Sequence, residues 1–505
     1  MLQRFPSYNQ NALTAHSNSR FLTAILFAAA AYWLAGCTAA FGPGYTIEKQ
    51  VIRVHFVSDP EPRLFGEAEY KLLNNGNQPL SELELRLPGR RRFHFSNPRA
   101  EWDGVSLVLE ASPANARNNL LKFPQPWVVS SVHTLRLSVE YDRSEGEDST
   151  LSFAEDAFFL PSEGWSPELL PSRGFFATGG TPPKKWELQV RVPDGFRVHT
   201  SGDDRKQSGK NGELTIRAVQ EVQDRYPFVI AGRYKEAQIG NEKQKVFLWT
   251  RKPQEASGLR EASNVLVRTT QVYDQLFGSR SQKDRPLWVV ECPVIAGCFL
   301  NQGGRSAPLL EQDRSQPSAA QMASLDTVMV DVSGGMPNLA ASAGPSLAAS
   351  WMGYGRNPGF YEQELPLSAF PAFAAAEGRD AVLGSDARAQ TIRRALRLIP
   401  KDSGGNKQKE DDAVLRAKSF LFFYALQDRY SPEVFRKATS HMFYARQGHG
   451  FNLNDLISAF DEESHQNAAE FVRQWMKRPG VPADFRARYE TSSAATAATT
   501  KETTP

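Results

Sequence analysis

The sequence predicts a multidomain α+β protein, and three observations carry the prediction. From Ile47 to about Pro253, apolar and polar residues alternate with period two. Beyond Glu255 the period lengthens to that of helices, interrupted by two short apolar strands. After residue 401 only helical segments remain. At 505 residues, 41% hydrophobic and 23% charged, the composition is globular and the length fits about three domains.

In the first domain, expected over 47–253, runs such as Val51-Ile-Arg-Val-His-Phe-Val57, Leu135-Arg-Leu-Ser-Val-Glu-Tyr141 and Trp186-Glu-Leu-Gln-Val-Arg-Val192 are half-buried strands of an antiparallel sheet. Asn75-Gly76 and Asp194-Gly195 mark turns, and Trp165 and Trp186 are core candidates. The second domain, over 254–400, holds a helix at Leu259–Leu276, strands at Leu287–Cys292 and Thr327–Val332, and a small-residue helix over Asn338–Met352. That last helix should begin or kink at Pro345, because interior proline loses a backbone hydrogen bond and clashes with the preceding turn. Residues 401–412 are a charged, Gly-containing linker. The helical domain over 413–490 opens with Val414–Arg429. It continues from Ser431-Pro432, a cap followed by proline at the first helical position, and includes Asp455–Phe460 with Asn454 as its expected cap. The Thr/Ala-rich tail over 491–505 has no apolar anchor and is expected to be disordered.

The beginning of the chain has a different character. Phe21–Trp33 is apolar but only 13 residues long, too short for a spanning helix and suited to the core of a secretory signal. It runs into Leu34-Ala35-Gly36-Cys37, which resembles the bacterial lipoprotein signal. That resemblance implies a signal peptide over 1–36, a diacylglycerol on Cys37 and a tether over 37–46. The partner is then a membrane, through the lipid anchor. Thr38 in place of Asp favours the periplasmic face of the outer membrane. The net charge of +3 argues against a nucleic-acid partner, which needs a basic face. The two remaining cysteines, Cys292 and Cys298, enclose a small loop that suits a disulfide in an oxidising compartment; the alternative is a pair of buried thiols.

Several segments carry a second resemblance. Phe158-Phe-Leu-Pro-Ser-Glu-Gly-Trp-Ser-Pro-Glu168, Asp224-Arg-Tyr-Pro-Phe-Val-Ile-Ala-Gly-Arg-Tyr234, Lys418-Ser-Phe-Leu-Phe-Phe-Tyr-Ala-Leu426, Phe471-Val-Arg-Gln-Trp475 and Gly480-Val-Pro482 occur in an order similar to that of the alanyl-aminopeptidase and leukotriene hydrolase family of gluzincin metallopeptidases. The resemblance covers about 45–490. It implies a saddle-shaped β domain, a thermolysin-like α/β domain and a C-terminal helical domain. The family's chemistry needs two His one turn apart and a more distant Glu to hold zinc, with a Glu beside the first His as general base. In Pro345-Ser-Leu-Ala-Ala-Ser-Trp351, followed by Met352-Gly353, framework positions Leu347, Ala348, Trp351 and Gly353 match. The two His positions are Pro345 and Ala349, the base is Ser346, and the third ligand falls on Ser368. The Glu that would bind a substrate amine falls on Leu300, in Gly297-Cys-Phe-Leu-Asn301, and the transition-state Tyr falls on Arg416.

The eight histidines agree without any alignment. They lie at 16, 55, 94, 133, 199, 441, 449 and 465; no two are spaced His-x-x-x-His and none falls between 200 and 440. No cofactor is therefore expected. The expected function is that of an inactive peptidase-like envelope lipoprotein, binding a peptide or an envelope protein through the family's cleft. The alternatives are a hydrolase with displaced chemistry, with Ser346 as nucleophile, or aminopeptidase kinship in name only. Gly344-Pro-Ser346-Leu-Ala348 falls one residue short of a nucleophile elbow and lacks the preceding strand that an elbow needs. The basic run Arg90-Arg-Arg-Phe-His94 is a solvated strand end or a contact for anionic lipid.

Overall fold

A computed structural model describes residues 44–87, 95–113, 115, 118–141, 152–161, 165–170, 183–202, 204–210, 213–220, 227–241, 244–279, 285–293, 322–324, 326–332, 335, 339, 342–344, 347, 351, 369–400, 412–445 and 452–490. The segment expected to be a signal peptide, with Cys37, the basic run at 90–94 and the tail at 491–505 lie outside these residues.

The alternating segments form an eight-stranded sheet. Its spatial order is Asp204–Lys210, Glu213–Gln220, Trp186–Pro193, Thr46–Val57, Arg63–Leu73, Val132–Tyr141, Phe95–Trp102 and Val105–Leu107. Neighbours are antiparallel with one exception, a correction to the expected all-antiparallel sheet: Thr46–Val57 pairs in parallel with Trp186–Pro193, Gln50 opposite Trp186. A parallel pair needs a long crossover. Here the chain supplies it by adding strands to the large sheet, completing one four-stranded sheet and beginning a second before it returns; Arg197–Thr200 and Val229–Gly232 finish the second afterwards. One contains Leu80–Arg86 and Asn119–Trp127, the other Ala157–Leu160 and Val229–Gly232.

Each small sheet covers part of the large one, and period-two burial fills the space between. Val54, Phe56, Leu188 and Val190 pack with Phe158, Leu160, Trp165 and Trp186 in one core. Tyr70, Leu72, Leu135 and Leu137 pack with Leu83, Leu121 and Trp127 in the other. Trp165 and Trp186 are thus core residues, as expected. The Asp194-Gly195 turn is made with Gly195 at φ 82°, a backbone region that glycine enters without Cβ strain.

The next sheet has five strands, in the order Lys235–Asn241, Gln244–Thr250, Leu287–Glu291, Thr327–Val330 and Met322–Ser324. Its three central strands are parallel. The first two strands fall within the span expected for the β domain, yet they pair into this sheet. Alternation identifies strands but does not say which sheet they join. A shared cluster of Phe159, Phe228, Ile230, Trp249, Val290 and Met329 packs the two regions together. His199 Nε2 also meets Thr327 Oγ1 at 2.8 Å between these regions.

Eight helices are described in full: α1 (Ala256–Phe277), α2 (Phe370–Leu383), α3 (Ser385–Arg397), α4 (Asp412–Arg429), α5 (Pro432–Ala445), α6 (Leu453–Ser464), α7 (Ala468–Lys477) and α8 (Ala483–Glu490). Ser431 Oγ accepts from Val434 N at 3.2 Å, the expected cap of α5. The cap of α6 differs from expectation. It is Asn452, whose side chain accepts from Asn454 N and Asp455 N while Asp455 accepts from Asn452 N. With that reciprocal box the helix starts two residues before the segment read from the apolar pattern, and it runs four residues past its end. Among the described residues no helix is long and apolar enough to cross a membrane.

Candidate functional site

The stretch resembling the peptidase helix is described at Leu339, Ser342–Gly344, Leu347 and Trp351, all helical. Leu339, Ala343, Leu347 and Trp351 recur every fourth residue, one face of a helix, and all four are buried in the core that includes α1, α2 and α4. Polar contacts fix the stretch in place. Asp331 N, just past the end of the central strand Thr327–Val330, donates to Ser342 Oγ at 2.9 Å. Tyr273 Oη, on α1, donates to Gly344 O at 2.9 Å. Trp351 Nε1 donates to Asp274 Oδ1, and its ring meets that of Tyr273 edge-on at 5.4 Å.

Two glycines permit this approach. A Cβ on Gly344 would lie 3.1 Å from Ala375 O on α2. A Cβ on Gly378 would collide with the Tyr273 hydroxyl and lie 2.8 Å from Tyr273 Cζ. Burial pushes the Tyr273 phenol well above its ordinary range, so it acts as a neutral donor.

Pro345, Ser346, Ala349, Ser368, Leu300 and Cys298 lie outside the described residues. Helical residues stand on both sides of Pro345, at Gly344 and at Leu347. Arg416 is half-buried on α4. Cys292 is buried at the end of the strand Leu287–Glu291 and is disulfide-bonded. Among the described residues no three His, Cys, Asp or Glu side chains are grouped to hold a metal ion.

Polar groups collect where the parallel strands end. Glu291 Oε2 accepts from Arg251 N at 2.7 Å, and the Arg251 guanidinium reaches Asp156 Oδ1 at 2.5 Å and Pro293 O at 2.9 Å. Burial raises the Glu291 carboxyl, against the pull of the Arg251 amide and guanidinium. Carboxyl ends of parallel strands are where open α/β sheets take ligands.

A second polar group, between α2, α3 and α4, was not singled out in the sequence. Glu377 and Asp380 are both more than nine-tenths buried. Arg379 holds Asp380 Oδ1 at 2.7 Å and Thr391 Oγ1 at 2.6 Å. Glu377 accepts from Gln427 Nε2 at 3.4 Å and lies 3.3 Å from Arg388 Nε. Arg388 also lies 5.2 Å from the centre of the Tyr424 ring. Burial pushes the Glu377 carboxyl up, with Arg388 opposing. Glu377-Gly-Arg-Asp380 looks like an ordinary solvated helix face. Only Gly378, the site of close approach to Tyr273, hints at burial. Lys418, fully buried on α4, donates to the carbonyls of Met476 and Arg478 and closes the end of α7.

No family model matches the chain, and no curated protein matches it. Solved structures do. The M1 zinc metallopeptidase from Deinococcus radiodurans is 16% identical, with a TM-score of 0.51, over 86% of this chain and 95% of that one. A mutant of the same enzyme matches at 16% identity and a TM-score of 0.50, over 88% and 96%. At that identity the likeness is one of fold: this chain is a multidomain α+β protein built like the M1 zinc metallopeptidases.

Proposed function

We propose that the protein is a catalytically inactive, aminopeptidase-like lipoprotein of the bacterial envelope. In this reading it binds a peptide or a partner protein in the cleft between its α/β and helical regions. One observation carries the proposal: the residues that seat the helix are kept, and the residues that would do chemistry are not. Leu347 and Trp351 occupy the framework positions and are buried. The positions resembling the zinc ligands and base hold Pro345, Ala349, Ser368 and Ser346, and the substrate-amine position holds Leu300. Without imidazole or carboxylate at those positions, nothing lowers the pKa of a water to about 7 for attack on a peptide bond. The fold likeness supports the scaffold half of this reading, and the lipoprotein half rests on Leu34-Ala-Gly-Cys37.

The test is metal content and alanyl-anilide hydrolysis of the purified chain, with a chelator control. The expected result is no stoichiometric zinc and no turnover. Chelator-sensitive hydrolysis that follows the chain at one zinc per molecule overturns the proposal. Restoring Pro345→His, Ser346→Glu, Ala349→His and Ser368→Glu together is expected to regain metal but little aminopeptidase turnover, because Leu300 cannot hold the substrate ammonium.

A further inference from the structure

Single exposed valines are ordinary on a protein surface; a concentration of them is not. Five large hydrophobic side chains are exposed among the described residues, and four are valines of the first domain: Val105 (55%), Val108 (75%), Val128 (61%) and Val132 (49%). Val105 pairs with Trp102 across the tight Asp103-Gly104 turn. Val128 follows Trp127, and Val132 precedes His133. Trp102, Trp127 and His133 form one ring cluster, with Trp102 at 5.3 Å from Trp127 and 5.0 Å from His133. Three exposed valines are thus backbone neighbours of the residues of one aromatic cluster, and Val108 lies three residues beyond Val105.

The chain enters the fold at this edge. Thr46 stands opposite Leu73, and Leu73 opposite Val132, so Thr46 and Val132 are two strand spacings, about 10 Å, apart. Gly76 N donates to Gly44 O at 3.0 Å. Asn74 N donates to Ser131 O at 3.2 Å and Ser130 N to Asn74 O at 2.8 Å, which joins the entry point to the turn between Val128 and Val132. Tyr45 packs at 5.9 Å from Trp127. The neighbouring turns, Asn74-Asn-Gly-Asn-Gln78 and Val129-Ser130-Ser131, carry amides and hydroxyls and no formal charge. The nearby Asp103 is hydrogen-bonded to His133 at 2.5 Å and is the charged residue at the patch margin.

We propose that this edge docks on the lipid bilayer, with Val105, Val108, Val128 and Val132 entering the interfacial zone and the uncharged turns lying among the headgroups. The inference rests on the reading that Cys37 carries the lipid. From Cys37 to Gly44 is seven residues, which reach about 25 Å at most. An anchor at Cys37 therefore holds this edge against the membrane, where even weak insertion is favoured by high effective concentration. Docking would fix the orientation of the β domain, leaving the α/β and helical regions to face away from the lipid.

The test uses the full chain, purified from its membrane and placed in phosphatidylethanolamine–phosphatidylglycerol vesicles. A thiol-linked, environment-sensitive dye is placed at Val108→Cys or, as control, at Glu433→Cys on the first turn of α5. Mass spectrometry of the same samples reads acylation of Cys37. A lipid-borne quencher is expected to remove at least half the emission at position 108 and none at 433. Val128→Asp with Val132→Asp should abolish the quenching while leaving thermal stability unchanged. Acylated protein with an unquenched dye at 108 overturns docking and leaves the anchor standing. Unacylated protein that is still quenched removes the anchor and keeps the docking edge; unacylated and unquenched protein removes both. A dye shift that grows with protein concentration without vesicles, or a crosslink from 108 to another protein in place of quenching, assigns the edge to self-association or to a protein partner and overturns the proposal.

Discussion

Trp351 Nε1 donates to Asp274 Oδ1 at 3.0 Å, tying the end of the central helical stretch to α1 across 77 residues of sequence. The indole is buried, while the Asp274 carboxylate that accepts from it is exposed on α1. A hydrogen bond to a charged group contributes about 1.5 to 3 kcal/mol, and solvent at the acceptor puts this one at the low end. Trp351→Phe keeps an aromatic ring against Tyr273 but removes the donor. The expected loss is about 1.5 kcal/mol, read as a lower midpoint in denaturant with an unchanged slope. An unchanged midpoint would mean that the bond contributes nothing.

The contact between Gly378 and Tyr273 predicts a rescue. Gly378→Ala forces a methyl against the Tyr273 hydroxyl, and overpacking of this kind costs about 1 to 3 kcal/mol. Tyr273→Phe alone gives up the bond to Gly344 O, a loss of about 1 kcal/mol. Combined, the two substitutions should cost less than their sum, because removing the hydroxyl makes room for the methyl. The rescue should be partial, since Cζ remains close. A double-mutant cycle read by thermal melts checks this, and strict additivity would refute it.

Two buried carboxylates should respond to pH with opposite sign. Glu187 is held by Arg217 through bonds of 2.6 and 2.9 Å, which brings its carboxyl down to about 2 against the cost of burial, with help from Gln189 and Lys49. Its contribution is present above the unfolded value near 4.5 and is lost as pH falls toward 2. Glu377 is raised by burial, so its protonated form is the one the fold prefers; that contribution is present below about 4.5 and is lost as pH rises through the folded value. Glu187→Gln should therefore destabilise at pH 7, by about 1 to 2 kcal/mol because Arg217 is half exposed. Glu377→Gln should stabilise at pH 7 and do nothing near pH 4. Melts of both variants at the two pH values decide it.

Period-two runs located the strands because a half-buried strand shows one face to water and the other to the core, and Ser431-Pro432 located a helix start because the cap is local chemistry. Sheet membership was not legible. Lys235–Asn241 and Gln244–Thr250 alternate like the strands before them, and only their partner, Leu287–Glu291, shows which sheet they complete. The parallel neighbour of Thr46–Val57 was hidden for the same reason: the pattern of a strand records its burial, not the direction of the strand beside it. At the candidate site, Leu347 and Trp351 were legible through resemblance, and burial agrees. The Glu377–Arg388–Gln427 group was not, because acids and bases one turn apart are the ordinary composition of a wet surface; three helices packed together are what bury them.

The parallel pairing also sets an order of events for a chain that emerges residue by residue. Thr46–Val57 can zip onto Arg63–Leu73 as soon as both are free, and Val132–Tyr141 can add to the far side of that hairpin. The other flank of the first strand must stay open until Trp186–Pro193 arrives roughly 130 residues later, since loop closure over such a span is slow. For that interval the molecule carries a bare row of amides and carbonyls in what will become the middle of its largest sheet, a template for any passing strand. The chain is most exposed to mispairing during that window, and least once Gln50 has found Trp186.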